Sequence, residues 1–252
     1  MSSAVLDANR AVLVRFPKIR AELPPEYKAF HTKFYQAARE GQHAGASIAL
    51  TLEKWMHRRV LADVSAFPLL ELGAGTLNHV PFEPQVGDYD IVEPMEVLYQ
   101  GKSERARIRD TFADTDEVPA DRRYPRIVSI AVLEHVTNLP EVIARAALLL
   151  TRDGSFRAGI PSEGGLLWYL AYTFGTGASF RLKYGLNYGV YQRYEHVNKA
   201  WEIEAVIRTF FRRVKIARFP LPGLHLSFYT YLQAEEPDRE AAEEYLANRI
   251  GR

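Results

Sequence analysis

The stretch Leu69-Leu70-Glu71-Leu72-Gly73-Ala74-Gly75-Thr76, followed by Tyr89-Asp90-Ile91-Val92-Glu93-Pro94, decides how this chain folds. The first run is apolar around a single acid and stops at two glycines. The second is apolar and ends in a carboxylate. Short buried runs bounded by turn residues read as strands of a parallel sheet. Gly73 and Gly75 let the backbone turn tightly and come close to a ligand. Glu93 lies 22 positions after Glu71 (93 − 71). That is near the ~20-residue spacing at which an acid on a second strand reaches ribose hydroxyls in a βαβ nucleotide site.

The dinucleotide fingerprint needs a third glycine and a helix N-terminus beneath a pyrophosphate. Here Leu77 and Asn78 follow Thr76, and Pro81 and Pro84 leave room for only a short helix. Glu71, ahead of the glycines, would repel a pyrophosphate and suits a ligand with a cationic amino group. Both features speak against an NAD-linked oxidoreductase.

Outward from this stretch, strands and helices alternate. Further strands are expected at Arg105–Arg109, Arg126–Ala131 and Ser155–Ile160. Between the last two, Asn138-Leu139-Pro140-Glu141 opens a helix, with Asn138 as cap, proline in the first turn and Glu141 in capping-box position. That helix buries Val142, Ile143, Ala146 and Leu149/Leu150 and ends before Asp153-Gly154. Towards the N-terminus, Pro25–Glu40 carries Tyr27, Phe30, Phe34 and Ala37/Ala38 at helical spacing, with Gly41 as a stop. Ala46–Val64 is a second helix with Ile48, Leu52, Trp55, Met56 and Val60. Towards the C-terminus, Pro161–Asn198 breaks the alternation with nine aromatics and several glycines. A long connection of that kind reads as a lid or binding loop. Asn198 then caps a helix burying Ile203, Val206, Ile207 and Phe210. Val214–Phe219 and His225–Leu232 form a closing strand pair, and Glu235–Arg252 is a solvated helix. The chain is thus expected to be one domain, 1–252. Its parts are an N-terminal helical layer over the ligand pocket (1–64), a ligand-binding core (65–160), a substrate cap (161–198) and a closing segment (199–252). Strands alternating with helices call for a doubly wound α/β fold.

The 252 residues suffice for one sizeable core. A net charge of +1 gives no electrostatic case for nucleic acid. The absence of cysteine removes disulfides and thiolate metal sites. No stretch has the length of a membrane span or the form of a secretory signal, so a soluble, cytoplasmic protein is expected. Leu166–Phe174 is apolar and aromatic enough for weak contact with a membrane surface. No metal is expected, because His57, His79, His135, His196 and His225 lack a ligand spacing such as H-E-x-x-H.

Four motifs stand in order: Glu71-Leu-Gly-Ala-Gly75, the Glu93 strand end, Thr111-Phe-Ala-Asp-Thr-Asp-Glu-Val-Pro119, and Ser129-Ile-Ala-Val-Leu-Glu-His-Val136. Together, over about residues 65–160, they resemble the class I S-adenosylmethionine (SAM) methyltransferases of the UbiE-like, type 11 branch. The resemblance implies a Rossmann-like, mostly parallel seven-stranded sheet with N-terminal helices and an inserted cap. It implies SAM as methyl donor and S-adenosylhomocysteine as product. Gly73 and the backbone around it would approach the methionine part, the backbone at Ala131 the amino-acid end, Glu93 both ribose hydroxyls and Asp114 the adenine amino group. Glu71, Ala74, Gly75, Asn78, Pro94, Thr115 and His135 would also lie at the cofactor.

An oxygen acceptor must lose a proton, and histidine titrates in the right range for a base. His196, in Tyr191-Gln-Arg-Tyr-Glu-His-Val-Asn198, and His135, just after the fourth strand, are the candidates, with Tyr194 and Glu195 as alternatives. In the cap, Tyr184, Tyr188, Tyr191, Arg181 and Arg193 offer rings, hydroxyls and cations suited to a sugar and a phosphate. The Arg181–Asn198 segment also resembles methyltransferases of bacterial surface-polysaccharide biosynthesis. The expected acceptor is therefore the oxygen or nitrogen of a small polar molecule, foremost a nucleotide- or lipid-linked carbohydrate, with an aromatic or lipid-like molecule as alternative. A non-catalytic SAM-binding regulator or partner subunit is the competing class.

Overall fold

A computed structural model describes residues 11–31, 47–61, 66–84 and 87–250. The expected helical positions Phe34, Ala37/Ala38 and Gly41 lie outside the described residues, as do the side chains of Ile48 and Leu52. Seven strands form one sheet: β1 (Leu69–Leu72), β2 (Tyr89–Val92), β3 (Thr111–Phe112), β4 (Tyr124–Ile130), β5 (Leu150–Pro161), β6 (Phe211–Pro220) and β7 (Ser227–Pro237). Their order is β3-β2-β1-β4-β5-β7-β6. β1 pairs in parallel with β2 (Leu69 opposite Tyr89) and with β4 (Leu69 opposite Arg126). Only β7 runs against its neighbours. Every residue of β1 and β2 is buried, as a parallel sheet covered on both faces demands.

Two layers do the covering. On one face α2 (Leu139–Leu149) and α6 (Ala200–Phe210) bury Ile143, Ala146, Ile203, Val206, Ile207 and Phe210 against Leu70, Ile127, Phe156 and Leu232. On the other, α1 (Ser47–Val60) places Met56 against Gly159, where a Cβ would strike the methionine 2.8 Å away. The strand order reverses between β1 and β4, which opens a crevice at their carboxyl ends.

Several expectations are corrected. Arg105–Arg109 is not a strand: Ser103–Arg107 forms a 3-10 turn, because the Arg107 guanidinium binds the carbonyls of Val80, Glu83 and Pro84 at 2.5, 3.1 and 2.6 Å. The edge strand is the shorter β3. β5 begins at Leu150 and runs through Asp153-Gly154 across a shift in register. Asn138 stands at the N-cap of α2 but does not bond its backbone; its amide donates to the Glu141 carboxylate. Asn198 caps no helix. Lys199 is the N-cap of α6, and Glu202 accepts its N–H at 3.0 Å. His225 lies in a 3-10 turn, Leu224–Leu226. The terminal helix α7 (Arg239–Ile250) buries Ala242 and sets Tyr245 5.5 Å from Phe210, so it packs on the core.

The cap is helical. α3 (Leu166–Ala171), a π-helical turn (Tyr172–Gly177), α4 (Ala178–Tyr184) and α5 (Tyr188–Glu195) follow one another. Gly185 ends α4 in the left-handed conformation, φ +69°, as C-terminal glycines do. Asn187 caps α5 by accepting from Gly189 N at 2.9 Å. Helical residues 25–31 sit on this cap, with Leu23, Tyr27 and Tyr191 buried together.

Candidate active site

A cavity of about 770 Å³ occupies the crevice at the carboxyl ends of β1, β2 and β4. That lies within the ~300–1,000 Å³ of ordinary small-ligand sites. At one end β1 stops and the chain turns at Gly73, φ +71°. A Cβ there would collide with the Val132 side chain, so conformation and space both require glycine. Gly75, φ +51°, faces open space. Leu77, where a third glycine would stand, holds φ +62° with its side chain buried; burial pays for the conformation. Glu93 ties this loop to β2: its Oε2 accepts from Gly75 N at 2.8 Å and its Oε1 from Met95 N at 2.9 Å. Each carboxylate oxygen keeps capacity for one more donor. At the rim, the exposed Asp114 accepts from Thr115 N and Oγ1 at 2.5 and 3.0 Å.

Beneath the loop lies a buried polar floor that the sequence did not disclose. Arg126 is fully buried and meets Glu83 through two bonds of 2.7 Å. His79 joins Glu83 at 2.7 Å and His57 at 3.2 Å. Burial alone would raise the Glu83 carboxyl, but His79 and Arg126 outweigh it and hold it at about 2. Glu71 is turned into this floor. It accepts from Tyr89 Oη at 2.6 Å, and burial pushes its carboxyl up.

The opposite end gathers residues remote in sequence. His135 and His196 meet edge to face, ring centroids 4.6 Å apart. The Nδ1 of His135 pairs with the Glu195 carbonyl at 2.9 Å, and the Nδ1 of His196 with the Glu163 carboxylate. Gln192 Nε2 donates to the same Glu163 oxygen at 2.9 Å. Burial, then the neighbouring His196 charge, lowers His135 to about 4. Burial also disfavours charged His196, but Glu163, with Glu134 and Glu195, reverses this and holds it above the ordinary histidine value. Glu134 is buried behind the pair, and burial raises it to about 7. Arg20 locks the assembly, donating to the carbonyls of His135, Tyr194 and Glu195 at 2.6, 2.7 and 3.0 Å. Asn198 does the same from the other side, donating to the carbonyls of Leu133 and Val136 at 2.8 and 2.6 Å.

Glu71, Gly73, Ala74, Gly75, Asn78, Glu93, Pro94, Asp114, Thr115, Ala131, His135 and His196 all line this one cavity, as do Tyr188 and Tyr191. Tyr194, Tyr184, Arg181 and Arg193 do not line it. Tyr194 lies edge-on to His31, rings 5.6 Å apart, Tyr184 packs on Phe30 and Phe180, and both arginines are exposed. The linear spacing of the histidines also gives no hint that Glu134, His135 and His196 converge: one ligating atom from each lies within 4.8 Å of the others. Sequence inspection missed Arg20, Glu163 and Gln192; no local pattern marks them, because their partners stand 29 to 175 positions away.

No protein-family model matches the chain, and no curated protein sequence matches it. Solved structures do. A SAM-dependent methyltransferase from Thermotoga maritima superposes with TM-score 0.56 at 12% identity, covering 84% of this chain and 98% of that one. An O-methyltransferase family protein from Burkholderia thailandensis gives 0.53 at 12% identity, with 92% and 70% covered. A SAM-dependent methyltransferase from Mesorhizobium loti gives 0.50 at 15% identity, with 73% and 97% covered. The likeness is one of fold: the seven-stranded, Rossmann-like sheet is the one these methyltransferases have.

Proposed function

We propose that this chain transfers a methyl group from S-adenosylmethionine to an oxygen or nitrogen of a small polar acceptor. One observation carries the proposal: at the switch point of this sheet, Glu93 holds the Gly75 amide and keeps one acceptor site free on each oxygen. A vicinal ribose diol needs that pair of acceptors. The open face of Gly75 leaves room for the ligand backbone, and Asp114 at the rim suits an adenine amino group. Bound SAM supplies a methyl carbon on a sulfonium, open to in-line attack.

The protein's own part is to position the acceptor and to take its proton. The wall of His135 and His196 faces the cavity beyond the glycine loop, and Glu163 fixes the orientation of His196. Tyr188, Tyr191 and Gln192 complete this end; rings with hydroxyls beside an amide suit a carbohydrate acceptor. Arg181 and Arg193, being exposed, would be reached only by a charged portion of the acceptor extending out of the cavity.

The test is calorimetric titration of the purified protein with S-adenosylhomocysteine, beside Glu93→Ala and beside NAD. Micromolar binding is expected, weakened ~10- to 100-fold in Glu93→Ala through loss of charged hydrogen bonds worth ~1.5–3 kcal/mol. Transfer of label from SAM to nucleotide- and lipid-linked sugars then finds the acceptor. NAD binding in place of S-adenosylhomocysteine would overturn the proposal.

A further inference from the structure

We infer that Glu134, His135 and His196 form a site for a divalent transition-metal cation at the acceptor end of the cavity. The role given to the ion below rests on the proposal that this cavity takes a methyl acceptor; the site itself does not.

Three independent features support the site. The first is geometry: one ligating atom from each of the three residues lies within 4.8 Å of the others, and His135 Nε2 stands 4.0 Å from Glu134 Oε1. Ligands held ~2.0–2.2 Å from an ion lie ~3–4 Å apart, so a small side-chain adjustment closes the set. The second is the outer hydrogen bonding. Nδ1 of His135 is committed to the Glu195 carbonyl and Nδ1 of His196 to the Glu163 carboxylate, which leaves Nε2 of each ring for a ligand. Metal-bound histidines are oriented in this way by a carbonyl or carboxylate on the other nitrogen. The third is an unmet need: Glu134 is 2% exposed, and its Oε2 is buried with no hydrogen-bond partner. A buried carboxylate oxygen without a donor is costly, and a cation satisfies it.

The Arg20 guanidinium is spent on the carbonyls of His135, Tyr194 and Glu195. Two imidazoles and one carboxylate suit manganese, iron, cobalt or zinc better than magnesium or calcium, and leave positions open. His135 and His196 line the cavity while Glu134 does not, so the open positions face the acceptor. An acceptor hydroxyl bound there would be oriented and acidified; with both rings held by the ion, its proton would pass to water in the open cavity, and the ion would replace direct proton abstraction by a histidine.

The test is titration of chelator-stripped, full-length protein with cobalt(II) chloride, followed by calorimetry and visible absorption. One equivalent is expected to bind, with ligand-field bands, and His135→Ala, His196→Ala and Glu134→Gln should each weaken binding at least tenfold. Absence of stoichiometric binding, or binding that all three variants retain, would overturn the inference. Circular dichroism of each variant separates loss of the site from loss of the fold. Titration with S-adenosylhomocysteine separates failure of the cofactor proposal from failure of the metal site, because cobalt binding does not require the cofactor.

Discussion

The two ends of the cavity are built on different plans. The glycine-loop end is assembled by β1, β2 and the turns that leave them: Gly75 and Glu93 are 18 positions apart and bonded at 2.8 Å. The histidine end is assembled by chance meetings of distant segments. Arg20 reaches across 115 and 174 positions to the carbonyls of His135 and Tyr194, and His196 finds Glu163 33 positions back. A site made by two adjacent strands is fixed once the sheet forms. A site made by a cap, an N-terminal segment and a strand end depends on how those pieces dock, and can change its chemistry without disturbing the sheet. On the proposed function, cofactor binding would belong to the first end and acceptor choice to the second.

The largest effect should come from the floor beneath the first end. Arg126→Leu leaves Glu83 buried without its bidentate partner, and breaking such a pair costs ~3–5 kcal/mol. Denaturant unfolding at pH 7 measures it. The same pair sets an acid limit. The folded value of Glu83, about 2, lies below its unfolded value, so its stabilisation is full above pH ~4.5 and is lost as pH falls towards 2. A variant as stable as the parent at pH 7 would show that the floor is incidental to the loop above it.

At the second end, His196→Ala is expected to lower kcat ~10²–10⁴-fold while leaving affinity for S-adenosylhomocysteine within ~2-fold. A parallel loss of cofactor affinity would mean that the two ends are not separable. Gly73→Ala should do the reverse. A side chain at φ +71° against Val132 costs ~1–2 kcal/mol for the conformation and ~1–3 for overpacking. Adding Val132→Ala should relieve only part of the overpacking, because the Cβ that remains lies 2.9 Å from the new methyl, and none of the conformational cost, as read by calorimetry with S-adenosylhomocysteine.

The same contrast governs how much the sequence could tell. The strands β1 and β2, the glycine turn and Glu93 were legible because their signals are local: apolar runs, two glycines and an acid at a fixed spacing. The apolar faces of α2 and α6 were legible for the same reason, as 3.6-residue periodicity. Arg105–Arg109 misled, because alternation does not reveal that Arg107 is occupied by three carbonyls. Pro161–Asn198 read as a loop because its glycines hid short helices whose packing partners are distant in sequence: Leu23, Tyr27 and Phe30 for α5, β7 and the Leu224–Leu226 turn for α3. Arg126 read only as the first residue of a strand, since nothing local announces Glu83, 43 positions earlier, as its partner. Glu134 and His135 were visible as neighbours of a strand end, but their meeting with His196 is purely tertiary.

The smallest expected effect lies outside both ends. Arg181 and Arg193 are exposed and do not line the cavity, so Arg193→Ala and Arg181→Ala should change affinity for S-adenosylhomocysteine less than ~2-fold. Surface substitutions away from a site are worth about ±0.5 kcal/mol. Their value is diagnostic for the acceptor. An uncharged acceptor fills only the part of the cavity bounded by Tyr188, Tyr191, Gln192 and the histidines, and its KM should not move in either variant. An acceptor carrying a phosphate or pyrophosphate must project that charge outward, where a guanidinium holds it bidentately. Its KM should then rise several-fold in one of the variants while kcat stays constant, and the rise should shrink with added salt. Comparing a free sugar with its nucleotide-linked form in the Arg181→Ala and Arg193→Ala variants thus tells whether the cap contributes to binding or only closes the site.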